Sequence, residues 1–150
     1  MPFLLLSAIG PSAPLKPSIS VSQVTEYTCV LAGSAFSDPD SDTHIQSQWQ
    51  VDVWSGDFSA PVVDTTTGTE LTTFQVTGLA AQQTYKARVR YRDDGTDTSK
   101  QWSQWSDASS NFDTKWIRPS LGGAVSGADN ISWDGGKSPY LNDNYWDMMK

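Results

Sequence analysis

The chain has 150 residues, 37% of them hydrophobic and 11% aromatic, which suits one core of about 100 residues with a tail at each end. Its formal net charge of −7 makes an acidic surface that repels phosphate, so no nucleic-acid partner is expected. Cys29 is the single cysteine, which excludes an internal disulfide, and no apolar run approaches the roughly 20 residues of a membrane span.

In chain order, residues 1–16 come first. Phe3, Leu4, Leu5 and Leu6 form an apolar start with no Lys or Arg beside them, unlike a secretory leader. They read as a docking arm. Pro11, Pro14 and Pro17 follow and stiffen the link to the next segment. Ile19 and Val21 alternate as a first strand, and residues 27–31 as a second, with Cys29 and Leu31 facing in. Residues 34–44 are a loop by composition and contain the lone His44.

Within that loop Asp38, Asp40 and Asp42 have the D-x-D-x-D spacing of a calcium loop. An EF-hand would need Gly at the sixth position and Glu at the twelfth, where this chain has Thr43 and Trp49. Two readings stay open: a weak calcium site completed by backbone oxygens, or a solvated loop whose aspartates cap turns. No other cofactor is expected.

Residues 48–54 alternate sharply as a third strand, with Trp49, Val51 and Val53 on the core side and Trp54 on the other. Gly56 marks a turn, residues 61–64 read as a short edge strand, residues 65–68 as a turn, and residues 71–76 as a fifth strand. From Tyr85 to Arg92 the alternation is strict. Tyr85, Ala87, Val89 and Tyr91 face one way; Lys86, Arg88, Arg90 and Arg92 face the other. Four like charges on one strand face need partners. Trp102 and Trp105, three residues apart on a polyproline-II-like segment, fall on one side and can receive guanidiniums between their rings. The competing reading pairs the arginines with Asp52, Asp93 or Asp94. A last strand is expected over residues 104–114.

Leu79, Tyr85, Arg88-Val89-Arg90, Trp102-Ser103-Gln104-Trp105-Ser106, Phe112 and Thr114 together resemble the second half of a fibronectin type III domain. The resemblance covers roughly residues 17–115. It implies an all-β, antiparallel, seven-stranded sandwich in which Leu79 and Tyr85 form a corner, the tyrosine hydroxyl closing onto nearby backbone. The Trp-Ser-x-Trp-Ser box is similar to that of cytokine-receptor domains, but their paired cysteines are missing, so it argues for the fold and not for a hormone receptor. The wording from Phe36 to His44, followed by Ser47-Gln48-Trp49-Gln50-Val51, resembles modules of bacterial extracellular and bacteriophage structural proteins.

Residues 116–150 lose the alternation yet keep Trp116, Trp133, Tyr140, Tyr145 and Trp146 among five glycines. Disordered tails are poor in aromatics. This one reads as a second docking arm, with Trp and Tyr as interface anchors, or as a tail folded back on its own sandwich.

No catalytic set is apparent. His44 is the only histidine, there is no Gly-x-Ser-x-Gly elbow, and Cys29 is expected in the core. The chain is therefore expected to be no enzyme. It reads as a structural protein of a large assembly, a bacteriophage virion component such as a capsid decoration, neck or tail part, whose partners are other subunits. The alternative is a secreted or surface carbohydrate-binding adhesion module, in which Trp54 stacks on sugar rings.

Overall fold

The computed structural model describes residues 10–116. The Phe3–Leu6 arm and the anchors Trp133, Tyr140, Tyr145 and Trp146 lie outside the described residues. Seven strands are present among those described: β1 Ile19–Ser22, β2 Cys29–Gly33, β3 His44–Val53, β4 Val63–Thr67, β5 Thr73–Val76, β6 Thr84–Asp93 and β7 Phe112–Asp113. They form two antiparallel sheets, ordered β1-β2-β5 and β4-β3-β6-β7. Among the described residues, no helix is long and apolar enough to cross a membrane.

The core follows the alternation. Along β6 every second residue, from Tyr85 to Asp93, is buried. Its apolar members meet Trp49 and Val51 of β3, Cys29 and Leu31 of β2, Val76, Leu79 and Phe112. Trp49 is fully enclosed and its indole N–H donates to the Glu70 carbonyl at 3.1 Å, so its polar atom is satisfied as burial requires. The Tyr85 hydroxyl accepts the Ala80 N–H at 3.0 Å, and Leu79 N–H donates to the Tyr27 carbonyl at 3.0 Å, which ties the turn before β6 down at both ends. The Tyr91 hydroxyl donates to the Ser34 carbonyl at 2.7 Å.

Several boundaries differ from the sequence reading. β3 starts at His44, inside the segment expected to be loop, because Gln46, Ser47 and Gln48 pair with Arg92, Tyr91 and Arg90 although they lack an apolar pattern. Trp54 is not an opposite-face strand residue; it follows β3 and is 51% exposed. β4 lies over Val63–Thr67, so Thr65 to Thr67 form strand and not turn, while Pro61, which has no N–H to give, stays outside. β2 begins only at Cys29, and β5 only at Thr73. Of the expected last strand, only Phe112–Asp113 pairs regularly.

Gly33 sits where a Cβ would run into the Tyr91 hydroxyl and come within 3.5 Å of the Trp49 ring. Gly33→Ala should therefore cost about 1–3 kcal/mol through overpacking. In the double variant with Tyr91→Phe the obstructing oxygen is gone, so denaturant titration should show a loss smaller than the sum of the two single losses. Strict additivity would mean that this contact is not what excludes the methyl group.

Candidate functional site

The polar face of β6 carries the most organised side chains of the domain. Register places Lys86, Arg88, Arg90 and Arg92 opposite Asp52, Gln50, Gln48 and Gln46 of β3. Each arginine uses this neighbour. Arg88 Nε donates to Gln50 Oε1 and Arg90 Nε to Gln48 Oε1, both at 2.8 Å, and Arg92 Nη1 donates to Gln46 Oε1 at 2.8 Å. Arg92 is also held by Gln101 Oε1, at 3.1 Å from Nε and 2.7 Å from Nη2. Behind the glutamines one carboxylate, Asp64 of β4, accepts from Gln48 Nε2 at 2.6 Å and from Gln50 Nε2 at 2.8 Å. Two amides thus carry the pull of one negative charge to two guanidiniums.

Aromatic rings fill the spaces between the cations. Arg90 lies 4.6 Å from the centroids of both Trp102 and Trp105. Arg88 lies 4.3 Å from Trp105 and 4.2 Å from Phe58, and Arg92 lies 5.9 Å from Trp102. Lys86 Nζ closes the series at 5.6 Å from Trp54 and 5.3 Å from Phe58. Phe58 reaches the stack because Asp52 organises its loop, accepting the Val53 and Phe58 N–H groups at 2.8 Å each. Burial among the rings lowers the Arg88 pKa, with the Arg90 charge adding to the effect; burial also lowers that of Arg90. None of the arginines pairs with Asp52, Asp93 or Asp94; among the described residues the one ion pair is Lys16–Asp107 at 2.6 Å.

The tryptophans are positioned by serines. Ser103, Ser106 and Ser109 give their N–H groups to the carbonyls of Tyr91, Val89 and Ala87 at 2.9, 2.8 and 2.8 Å. Their hydroxyl oxygens accept the N–H groups of the same three residues, each at 3.0 Å. A serine can serve both groups of a strand residue because its acceptor sits one carbon from its own backbone. The segment touches β6 at every third residue while β6 advances by two. It therefore gains about 6.7 Å per three residues, against about 9 Å for polyproline II. A threefold coil is present, but a compressed one, and this is why most of the expected last strand is no regular strand.

Sequence reasoning missed Gln46, Gln48, Gln50, Asp64, Phe58 and Ser109. Signals for the glutamines and Ser109 were available: a period-two run of polar residues from Gln46 to Asp52, and a third x-Ser-x triplet, Ala108-Ser109-Ser110, after Trp102-Ser103-Gln104 and Trp105-Ser106-Asp107.

At the far end of β6 five aspartates gather, three from the loop before β3, one from the end of β6 itself and one just after it. Asp38, Asp40 and Asp42 each offer an oxygen within 4.8 Å of the others. Asp38 Oδ1 accepts the N–H groups of Asp40 at 2.8 Å and Asp42 at 3.2 Å. Asp93 is buried, and Asp94 clasps Thr43 through two bonds of 2.7 and 3.1 Å. Desolvation, then the charges of its neighbours, raises the Asp42 pKa; Asp93 is raised for the same reasons, against a lowering bond from Gly95.

Cys29 and His44 are both structural in their contacts. Burial pushes the Cys29 thiol up to about 11, so it stays protonated. The His44 ring stacks 4.5 Å from Phe36 and lies tilted 4.5 Å from Tyr91, with Nε2 at 2.9 Å from Ser47 Oγ, and burial lowers its pKa.

Arg90→Lys keeps the charge but loses the planar stack and the Nε bond. It should cost about 1–2 kcal/mol and change tryptophan emission. Ser106→Ala leaves the buried Val89 N–H unpaired and should cost about 1–3 kcal/mol. Chemical denaturation followed by fluorescence checks both. Wild-type stability and emission in Arg90→Lys would mean that the stack contributes nothing.

No known family model matches the chain, and no curated protein sequence does. Solved structures do resemble it. Titin kinase and its flanking domains match at 17% identity and a TM-score of 0.56, covering 69% of this chain and 18% of that one. The FN1–FN3 domains of chicken CNTN1 match at 15% identity and a TM-score of 0.54, covering 68% of this chain and 33% of theirs. A crystal structure of titin domains matches at 17% identity and a TM-score of 0.53, covering 71% and 32%. This chain thus spans a third or less of the length of these three. At such identities the likeness shows the fold alone: an antiparallel sandwich of the fibronectin type III and immunoglobulin-like kind.

Proposed function

We propose that the protein is a non-enzymatic structural module that joins parts of a large assembly, with residues 1–16 and 116–150 as its docking arms. The observation that carries this reading is the placement of the two exits. The incoming linker is fixed at the aspartate end of the sandwich, where Ser12 N–H bonds Asp40 and Lys100 Nζ bonds the Pro11 carbonyl. The outgoing chain leaves at the other end, where Lys115 N–H bonds the Thr25 carbonyl and Trp116 stands 74% exposed. The ten-residue strands β3 and β6 run between these ends, a span of about 33 Å. A body gripped at opposite poles transmits position between its neighbours, and the cationic face of β6 is already occupied by the domain's own rings. The assembly that best suits the loop wording from Phe36 to His44 is a bacteriophage particle, with this chain as a capsid decoration, neck or tail component.

A second reading, a surface adhesion module, rests on Trp54. It stands half exposed at the open end of the ladder, beside Phe58 and Lys86, as a ring that stacks on a sugar would.

Deleting residues 1–9 or 117–150 leaves every described contact in place. Each deletion should preserve the melting transition and abolish incorporation into the particle, read by mass spectrometry of purified assemblies. Normal incorporation of both truncated chains would defeat the structural reading. For the adhesion reading, glycan-array binding should fall at least tenfold in Trp54→Ala; absence of binding by the wild-type chain would remove it.

A further inference from the structure

Two buried carboxylate oxygens at the aspartate end have no hydrogen-bond partner: Asp38 Oδ2 and Asp93 Oδ2. Asp93 is the more telling. It is 1% exposed, it closes β6, and its Oδ1 already accepts the Gly95 N–H at 3.0 Å. A buried carboxylate oxygen with nothing to bind is costly, and native proteins rarely keep one without a reason. Here the reason is not a neighbouring cation. Among the described residues no Lys or Arg forms an ion pair with Asp38, Asp40, Asp42, Asp93 or Asp94.

The two loops are built to converge. A Cβ on Gly95 would lie 2.7 Å from Asp42 Oδ2 and 3.1 Å from Asp93 Oδ1, so those two carboxylates flank the same glycine. The Asp94–Thr43 bonds hold the loops in that register. Asp38, in turn, uses Oδ1 to fold its own loop, which leaves Oδ2 unused.

We propose that Asp38, Asp40, Asp42 and Asp93 form a site for a hard divalent cation of the calcium class, linking the loop before β3 to the end of β6. The chemistry selects the ion. All four donors are carboxylates, and calcium takes six to eight oxygens at about 2.3–2.6 Å. Two oxygens on opposite sides of calcium lie up to about 5 Å apart, which accommodates the donors of Asp38, Asp40 and Asp42, within 4.8 Å of one another, while Asp93 approaches from the side of Gly95. Across magnesium that separation is only about 4.2 Å, and magnesium holds on to its own waters. Because Asp40 also receives the Ser12 N–H, an ion here fixes the incoming linker to the sandwich as well. This inference is independent of the assembly role, since it concerns the ion and not the partner.

The full chain, stripped with EDTA, should bind one calcium in calorimetry. Its melting temperature should rise by roughly 5–10 °C once calcium exceeds the Kd tenfold, with a smaller rise in magnesium. Asp42→Asn should weaken calcium binding at least tenfold. Asp93→Asn keeps an acceptor for Gly95 but removes charge, so it should melt higher than wild type in EDTA and lower in calcium. That crossing separates ligation from a merely structural role. If Asp93→Asn does not fold, the exposed Asp40→Asn carries the same test of lost binding. No heat and no melting shift at millimolar calcium in the wild-type chain would overturn the proposal, as would calcium binding unchanged in both Asp42→Asn and Asp40→Asn.

Discussion

The constraint on which the sandwich depends is the use of both faces of β6. Its apolar residues supply the middle of the core, so the strand cannot tilt or slip; a shift of one residue would bring Arg88 and Arg90 inside. The cations are then fixed in a row on the other face, two residues or about 6.7 Å apart. Neighbouring charges at that distance repel by about 0.6 kcal/mol in water and about 2.5 kcal/mol at an effective dielectric of about 20. Each ring contact returns about 0.5–1 kcal/mol, and Arg88 and Arg90 each have two. The two effects are of the same order. The rings are therefore a condition for placing cations there at all, not a surplus of stability.

Neutral partners suit this row better than acids would. A glutamine holds an arginine in plane by one directed bond and leaves the guanidinium face free for a ring. A full complement of aspartates would also bond in that plane and cancel the charges, but each carboxylate beside the rings would bring its own desolvation cost. Asp64 stands one residue back and acts through Gln48 and Gln50, so attraction is supplied without a carboxylate entering the stack. Covering the strand has a second consequence. With Ser103, Ser106 and Ser109 bonded along it, β6 presents no open edge between Ala87 and Tyr91, which removes a template for unwanted strand pairing.

What could be read from the sequence was whatever repeats. The alternation from Tyr85 to Arg92 placed the core and the charged face together, and Trp49 beside Val51 and Val53 placed the facing strand. The fold followed from these. Elements set by pairing rather than by hydrophobicity were hidden: the start of β3 at His44 and the threonines of β4 are strand because a neighbour bonds them, and no apolar pattern in their own residues says so. The compressed coil was hidden for another reason. Its contacts depend on serine hydroxyls standing in for carbonyls, so its rise per residue is set by β6 and not by its own composition. Phe58 joins the stack through a loop whose course is fixed by Asp52, a relation between residues six apart that no period expresses.

The two ends of the sandwich are chemically opposite, and the strands explain why. β3 and β6 are antiparallel, so the start of one and the finish of the other share an end; His44 lies opposite Asp93, and Val53 opposite Tyr85. At the first end the loops collect aspartates; at the second the chain leaves past Tyr27, Trp54 and Trp116, all exposed. Charge at one pole and rings at the other cannot satisfy each other across about 33 Å of core. Whatever completes either pole must therefore be local to it. The cation proposed for the first is small enough to act within the domain. At the second, Tyr27, Trp54 and Trp116 stand exposed as separate rings, and the docking proposed for the outgoing arm would cover rings of this kind. Under the proposed role, one sandwich would meet unlike neighbours through two different kinds of chemistry.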